Sequence, residues 1–168
     1  MTVPHLARLA AMLFVAATLG QPVTAGAQTT DDERLALSTV ERWVGSMRTR
    51  DTATMRALSH PGLKLFGMRP RGGVPDSVVQ VLTIDQFLAF IAGDARSDWH
   101  ERLWEPEVRV TGTLATVFAA YDFHFGRTFS HCGYDAFQLL RTPPGWRVVG
   151  LADTYQLHGC PARPAPPA

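Results

Sequence analysis

The residues most able to do chemistry lie close together in the C-terminal half of the sequence. Residues 121–155 contain two of the six histidines, three aspartates and all three tyrosines. Imidazole and carboxyl groups are the side chains that most often transfer protons in enzymes, so a lyase, isomerase or hydrolase is one class to consider. A pocket that only binds a small molecule uses the same groups to orient its ligand. The segment therefore nominates a site without deciding between catalysis and binding.

One pair of these residues can be placed in space from the turn between two predicted strands. We take Gly126 and Arg127 as the two residues of a β-hairpin turn. That register places Asp122 directly across from His131, with His124 one step along the same face. Facing Cβ atoms about 5 Å apart would let the carboxylate hydrogen-bond the imidazole and fix its tautomer. The pair is either a general base with an orienting acid or an ordinary cross-strand polar pair, and the sequence leaves both open.

The strands that carry these residues follow a set of helices. Apolar residues recur at helical spacing over residues 31–48, where Thr30 and Glu33 predict a capping box. Asp51 predicts the cap of a short second helix. Residues 67–82 predict a long loop with at most a short strand, and a capping box at Thr83 and Gln86 predicts a third helix. Apolar residues then alternate with a period of two, which predicts strands near 100–110, 113–125, 128–141 and 146–157.

This order of elements predicts the fold class. Helices come first and strands with a period of two follow, which is typical of an α+β domain. We expect about three N-terminal helices to cover one face of a curved antiparallel sheet.

The N-terminal residues predict export. Residues 1–27 contain a basic residue at Arg8, an apolar run over 9–19 and an A-x-A cleavage pattern ending at Ala27, as in a secretory signal peptide. Cleavage there would leave 141 of the 168 residues. We expect a single domain over 28–160, a disordered Pro-rich tail over 161–168, and a periplasmic or secreted location without membrane attachment.

Charge and cysteine content limit the partners and metal sites that the sequence predicts. The sequence has 16 Lys and Arg against 15 Asp and Glu, so it offers no bulk attraction to nucleic acid. The two cysteines, Cys132 and Cys160, predict one disulfide in an oxidising compartment. A metal site built from His131, Cys132, His158 and Cys160 is a weaker alternative, because adjacent strand residues point to opposite faces. We therefore expect neither a metal nor a cofactor.

Several motifs resemble those of the nuclear transport factor 2-like (SnoaL-like) superfamily, and the likeness covers residues 31–160. They are Val108-x-Val110-x-Gly112-x-Leu114-Ala115-x-Val117, Tyr121-Asp122-Phe123, Asp135-x-Phe137-x-Leu139 and Gly145-Trp146-Arg147-Val148, with Ser130-His131-Cys132-Gly133 and a terminal Gly159-Cys160 similar to exported bacterial members. The resemblance implies a cone-shaped fold with a pocket between helices and sheet, and a homodimer through the outer surface of the sheet. It implies no particular reaction, because the fold serves many functions.

The resemblance also bears on the candidate residues. Asp135 matches the position where ketosteroid isomerases of this superfamily keep a protonated acid, but no tyrosine precedes Tyr121 and the first strand has no acid. A scytalone dehydratase-like set of two histidines and an aspartate has its residue types here without the tyrosines that activate water. The family pattern points Ala115 and Val117 inward, opposite in parity to His131 in the register above. A β-bulge would remove that conflict.

We therefore predict an exported, non-catalytic domain that binds a small, largely apolar molecule or serves as an interaction module. Its predicted ligand-binding residues are Trp43, Phe87, Phe90, His131 and Asp135. The alternative is a small-molecule lyase, isomerase or hydrolase in which His131 is the base, Asp122 orients it, and Asp135 or His124 is the polarising partner.

Overall fold

The computed structural model describes residues 25–71, 74–94 and 98–164. Nearly all of the predicted signal peptide and the last four residues of the predicted tail lie outside these ranges. In chain order the elements are α1 (Ala25–Thr49), α2 (Thr52–Leu58), β1 (Ser59–Arg71), β2 (Val74–Thr83), α3 (Ile84–Gly93), β3 (Trp99–Thr111), β4 (Leu114–Phe125), β5 (Thr128–Thr142) and β6 (Gly145–Asp153).

The strands form one curved six-stranded sheet in the order β2-β1-β6-β5-β4-β3. Strand β1 pairs antiparallel with β2, and β3, β4, β5 and β6 pair antiparallel in succession. Strands β1 and β6 run parallel, because the chain crosses from one edge of the sheet to the other between β2 and β3. The helices pack on the concave face, so the predicted α+β fold is confirmed. Among the described helices, none has a long enough apolar stretch to cross a membrane.

The predicted loop over 67–82 is wrong, because most of it is a β-hairpin. Residues of β1 from Lys64 onward pair with β2 back to Thr83. Proline and glycine misled the interpretation, since they discourage strands in general. Here Pro75 lies on β2, the edge strand of the sheet, where proline is tolerated.

The caps are confirmed for two of the three predicted helices. Asp51 accepts a hydrogen bond from the Thr54 amide at 2.9 Å, and Thr83 forms the predicted capping box with Gln86. Helix α1 instead begins at Ala25, so Thr30 lies within the helix and does not cap it.

Helix α1 supplies the centre of the core. Ala36, Val40, Trp43 and Met47 are all buried and contact side chains from the concave face of the sheet. The Trp43 indole N–H donates to Ser59 Oγ at 2.9 Å, so the buried polar atom is satisfied. This contact fixes the ring where it can wall the space beneath the sheet.

The register between β4 and β5 corrects the predicted pair. Phe125 pairs with Thr128 across the expected two-residue turn, but from Phe123 onward the register shifts by one, and Phe123 faces His131. The extra residue is Ser130, which forms a β-bulge. Asp122 therefore lies across from Cys132, and its predicted opposition to His131 is wrong.

The same bulge removes the parity conflict of the sequence. Beyond it, Ala119 pairs with Asp135 and Val117 pairs with Phe137, so these residues share the concave face with His131. Asp122 belongs to the alternate set of β4 residues that points to the outer face. One inserted residue thus decides which polar side chains enter the core side of the sheet.

The predicted disulfide joins Cys132 to Cys160, with the two Cα atoms 5.6 Å apart. The chain turns back after β6 through Gly159, whose φ of 65° favours glycine. Because both cysteines are in this bond, the alternative metal site is wrong. The indole N–H of Trp104 donates to the Ala162 carbonyl at 3.1 Å, so the first part of the predicted tail lies against the sheet.

Gly133 gives a stability prediction that depends on the return segment, residues 154–160, which follow β6 and fold back to the disulfide. A Cβ at Gly133 would lie 2.5 Å from Thr154 Oγ1 and would also overlap the Thr154 carbonyl. We expect Gly133→Ala to lower the free energy of unfolding by about 1–3 kcal/mol, since the backbone must shift. Gly45→Ala is the control, because Gly45 is exposed in α1 with no atom within 4 Å of the added Cβ. It should stabilise by about 0.5–1 kcal/mol. Urea unfolding measures both, and a neutral Gly133→Ala would contradict the packing.

Candidate functional site

A cavity of about 390 Å³ lies between α1, α3 and the concave face of the sheet. The five residues predicted to bind a ligand all line it, namely Trp43, Phe87, Phe90, His131 and Asp135. The lining also includes Trp99, Phe123, Phe125, Leu65, Leu82 and Leu151. The structure therefore brings the predicted residues together around one space.

One side of the cavity is aromatic. Trp43 and Phe87 stack with ring centroids 5.6 Å apart and an interplanar angle of 3°. Trp99 meets Phe123 edge to face at 5.7 Å and Phe125 at 5.9 Å. Such rings hold one another in place, so they present a preformed apolar wall.

Three carboxyl groups lie on the sheet side of the same cavity. They come from Glu101 on β3, Asp135 on β5 and Asp153 on β6. Asp135 is only 2% exposed and pairs in register with Asp153, which brings two acids onto neighbouring strands. We call these three residues the carboxyl cluster.

The tyrosine next to the carboxyl cluster ties β4 to the return segment. The Tyr121 hydroxyl donates to the Thr154 carbonyl at 2.6 Å and lies 3.5 Å from Asp153 Oδ2. Thr154 can approach this closely because Gly133 has no side chain. The absence of a Cβ at Gly133 therefore helps to place Asp153 and Tyr155 at the cavity.

The electrostatics of the carboxyl cluster centre on Glu101. Burial raises the pKa of Glu101 to about 8, a hydrogen bond shared with Asp135 opposes the rise, and the charges of Asp153 and Asp122 add to it. A carboxyl group with such a pKa keeps its proton at neutral pH. It can then donate a hydrogen bond, or release a proton when a positive charge arrives.

His131 lines the cavity without its predicted aspartate partner. Its ring stacks on Tyr155 with centroids 4.0 Å apart and on Phe123 at 5.0 Å. Nδ1 lies 3.0 Å from the hydroxyl oxygen of Ser130, the bulged residue. Tyr121 meets the same imidazole edge to face at 5.6 Å, so three rings and a hydroxyl contact His131.

The other two catalytic candidates, Asp122 and His124, do not line the cavity. Arg102 donates to Asp122 through Nε at 2.6 Å and through a second contact from Nη2. His124 Nε2 lies 3.0 Å from the same Nη2. Burial raises the pKa of Asp122, but the hydrogen bonds and charge of Arg102 outweigh it and lower the pKa overall. Asp122 is therefore an ion-pair partner of Arg102, which corrects its predicted role as the orienting group of His131.

Glu101 and Asp153 were missed by the sequence interpretation, although a signal for them exists. Glu101 lies two residues from Trp99 and two from Leu103, and Asp153 lies between Leu151 and Tyr155 at the same spacing. An acid that shares a strand face with apolar residues on both sides is a candidate for a buried polar site. Within the described ranges, no group of three or more His, Cys, Asp or Glu could hold a metal ion.

Comparison with known proteins identifies the fold. No protein-family model and no curated protein matches the sequence. Solved structures do match: a nuclear transport factor 2-like protein from Shewanella baltica is 15% identical, with a TM-score of 0.60 over 77% of this chain and 97% of that chain. A similar protein from Silicibacter pomeroyi is 21% identical, with a TM-score of 0.56 over 76% and 99%.

A third solved structure is described as a candidate dehydratase of the nuclear transport factor 2-like family from Streptomyces avermitilis. It is 17% identical, with a TM-score of 0.59 over 77% of this chain and 99% of that chain. The chain thus has the nuclear transport factor 2-like fold, with a cavity beneath its curved sheet. Likeness at this level of identity carries the fold and not the reaction.

Proposed function

We propose that this chain is an exported protein that binds a small, largely apolar organic molecule in the cavity. The observation that carries the proposal is the composition of the lining, in which aromatic and aliphatic side chains make up more than half of the residues and polar groups come mainly from the sheet. Cavities of this size and composition are typical of small-molecule sites. The apolar part of the ligand would contact Trp43 and Phe87, and its polar group would meet the carboxyl cluster.

Export is supported by two independent features. The sequence begins with a pattern typical of a signal peptide. The Cys132–Cys160 disulfide favours an oxidising compartment, where such bonds persist. The homodimer expected from the resemblance stays a prediction; it would use the outer face, where the exposed rings of Phe118 and Tyr134 stack 5.3 Å apart.

A second candidate function is acid–base catalysis on a small molecule, as in a lyase or isomerase. It is favoured by the raised pKa of Glu101 next to the hydrogen-bonded Asp135 carboxyl, since enzymes shift the pKa values of paired acids in this way. The name of the Streptomyces avermitilis protein points in the same direction. In this alternative, Glu101 exchanges a proton with the substrate and His131 contacts the substrate.

The binding proposal is tested with a panel of small hydrophobic compounds in thermal-shift and native mass spectrometry experiments. We expect at least one compound, such as 2-naphthol, to bind one to one and raise the Tm. Phe87→Ala should weaken this binding at least tenfold, because the stacked partner of Trp43 is lost. Phe118→Ala is the control, since Phe118 is 44% exposed and lies outside the cavity lining. Equal loss in both variants, or no response to any compound, would refute the proposal.

A further inference from the structure

The two edges of the sheet differ in how they are protected against pairing with another strand. Exposed edge strands are normally protected by charged residues, by proline or by a bulge. Strand β3, at one edge, has all three devices. Glu105, Glu107 and Arg109 are charged, Pro106 lies among them, and the register with β4 shifts between Trp104 and Glu107. These features discourage a further strand from pairing with β3.

Strand β2, at the opposite edge, lacks these devices over residues 77–83. The sequence of this stretch is Ser-Val-Val-Gln-Val-Leu-Thr, without a charged residue, a proline or a glycine. Pro75 and Asp76 protect only the start of the strand. Uncharged segments rich in β-branched residues pair readily with strands of other chains. Strand β2 pairs with β1 on one side, and no described strand pairs with its other side.

The outer face of the sheet is apolar beside this unprotected stretch. Val81 of β2 pairs in register with Phe66 of β1, and the two side chains are 49% and 44% exposed. The neighbours of Val81 along the strand, Gln80 and Leu82, instead line the cavity on the concave face. A strand added beside β2 would cover part of the exposed apolar surface as well as the edge.

We infer that β2 pairs antiparallel with β2 of a second copy of this chain, with Gln80 at the two-fold axis, so that the two sheets form one continuous sheet. The sequence around Gln80 favours a second copy over an unrelated strand, because a two-fold contact brings the same segment together in both directions. In this register Val79 lies opposite Val81, and Val78 lies opposite Leu82. Every pair is uncharged and apolar, as cross-strand stabilisation requires.

The pairing would bring the second copy next to the cavity. Gln80 is exposed and lines the cavity together with Gly67, its register partner on β1. In the two-fold arrangement, Gln80 of one copy faces Gln80 of the other on the same side of the joined sheet. Two glutamine amides can hydrogen-bond each other, because each has both donors and an acceptor. The second copy would therefore add a polar group beside each cavity.

Sedimentation velocity of the purified protein over about 1–100 μM tests the inference, and we expect the wild type to associate in this range. Val81→Lys should weaken the association at least tenfold, because the two new charges lie at diagonal positions about 7–8 Å apart across the contact. Val81→Glu should do the same. An equal mixture of the two variants should recover the association, since opposite charges then meet. Recovery in the mixture shows that both variants are folded.

Phe118→Lys is the matched control, because Phe118 is 44% exposed on the outer face of β4, away from this edge. Association through β2 should survive that substitution. A wild type that stays monomeric throughout the range would overturn the inference, as would an oligomeric state that Val81→Lys leaves unchanged. Failure of the mixed variants to associate would overturn the pairing about Gln80. None of these results bears on the binding of small molecules, so the proposed function is tested separately.

Discussion

The variant with both Cys132 and Cys160 replaced by alanine is expected to unfold about 10 °C below the wild-type protein. The disulfide joins residues 28 positions apart, and a crosslink of that span stabilises by about 3–4 kcal/mol in the chain-entropy account. The disulfide also helps to hold the return segment against β5, where the backbones of Cys132 and Gln156 form two hydrogen bonds with each other. Without the disulfide, the return segment is held less firmly in the folded protein, and the unfolded chain gains conformational freedom.

A site effect should accompany the loss of stability. Tyr155 lies between β6 and the disulfide, and its ring stacks on His131 at the cavity. Once the bond is absent, we expect weaker binding of any cavity ligand as well as a lower Tm. Scanning calorimetry with and without reductant is the measurement, and the double variant should be insensitive to reductant. A Tm within 2 °C of the wild type would show that the return segment is held by other contacts.

Glu101→Gln is expected to be more stable than the wild type at high pH and to differ little at low pH. The pKa of Glu101 is raised from 4.5 to about 8 in the folded protein, mainly by burial. Between these values the unfolded chain loses the proton while the folded chain keeps it. Wild-type stability therefore falls as pH rises through this window, by at most about 1.4 kcal/mol per pH unit, and levels off above about pH 8. Glutamine has no proton to lose and can still hydrogen-bond Asp135.

Urea unfolding at intervals from pH 5 to pH 9 measures this difference. We expect the advantage of Glu101→Gln over the wild type to grow by as much as about 4 kcal/mol across the window. Glu107→Gln is the control, because Glu107 is an exposed residue of the same strand, β3. Its profile should follow the wild type. Parallel profiles for Glu101→Gln and the wild type would mean that the Glu101 carboxyl ionises normally in the folded state.

The fold was predictable from local patterns, because those patterns express short-range physics. Asp51 and Thr83 cap their helices through hydrogen bonds to amides three residues away, and the turn at Gly126 needs only its own backbone conformation. The hairpin of β1 and β2 was missed for the complementary reason. Its strands gain stability from pairing at the edge of the sheet, which the local composition does not reveal.

The sequence by itself determined most of the succession of helices and strands, the pairing of Cys132 with Cys160, and three of the aromatic residues that wall the cavity, Trp43, Phe87 and Phe90. The tertiary structure alone decided which polar side chains reach that cavity. Because of the one-residue bulge at Ser130, His131 and Asp135 face the helices. Asp122 lies on the other face of the sheet, where it pairs with Arg102. Because side chains alternate along a strand, a single inserted residue reverses the face of everything beyond it. The carboxyl cluster likewise draws its members from three strands, and only the packed sheet brings them together.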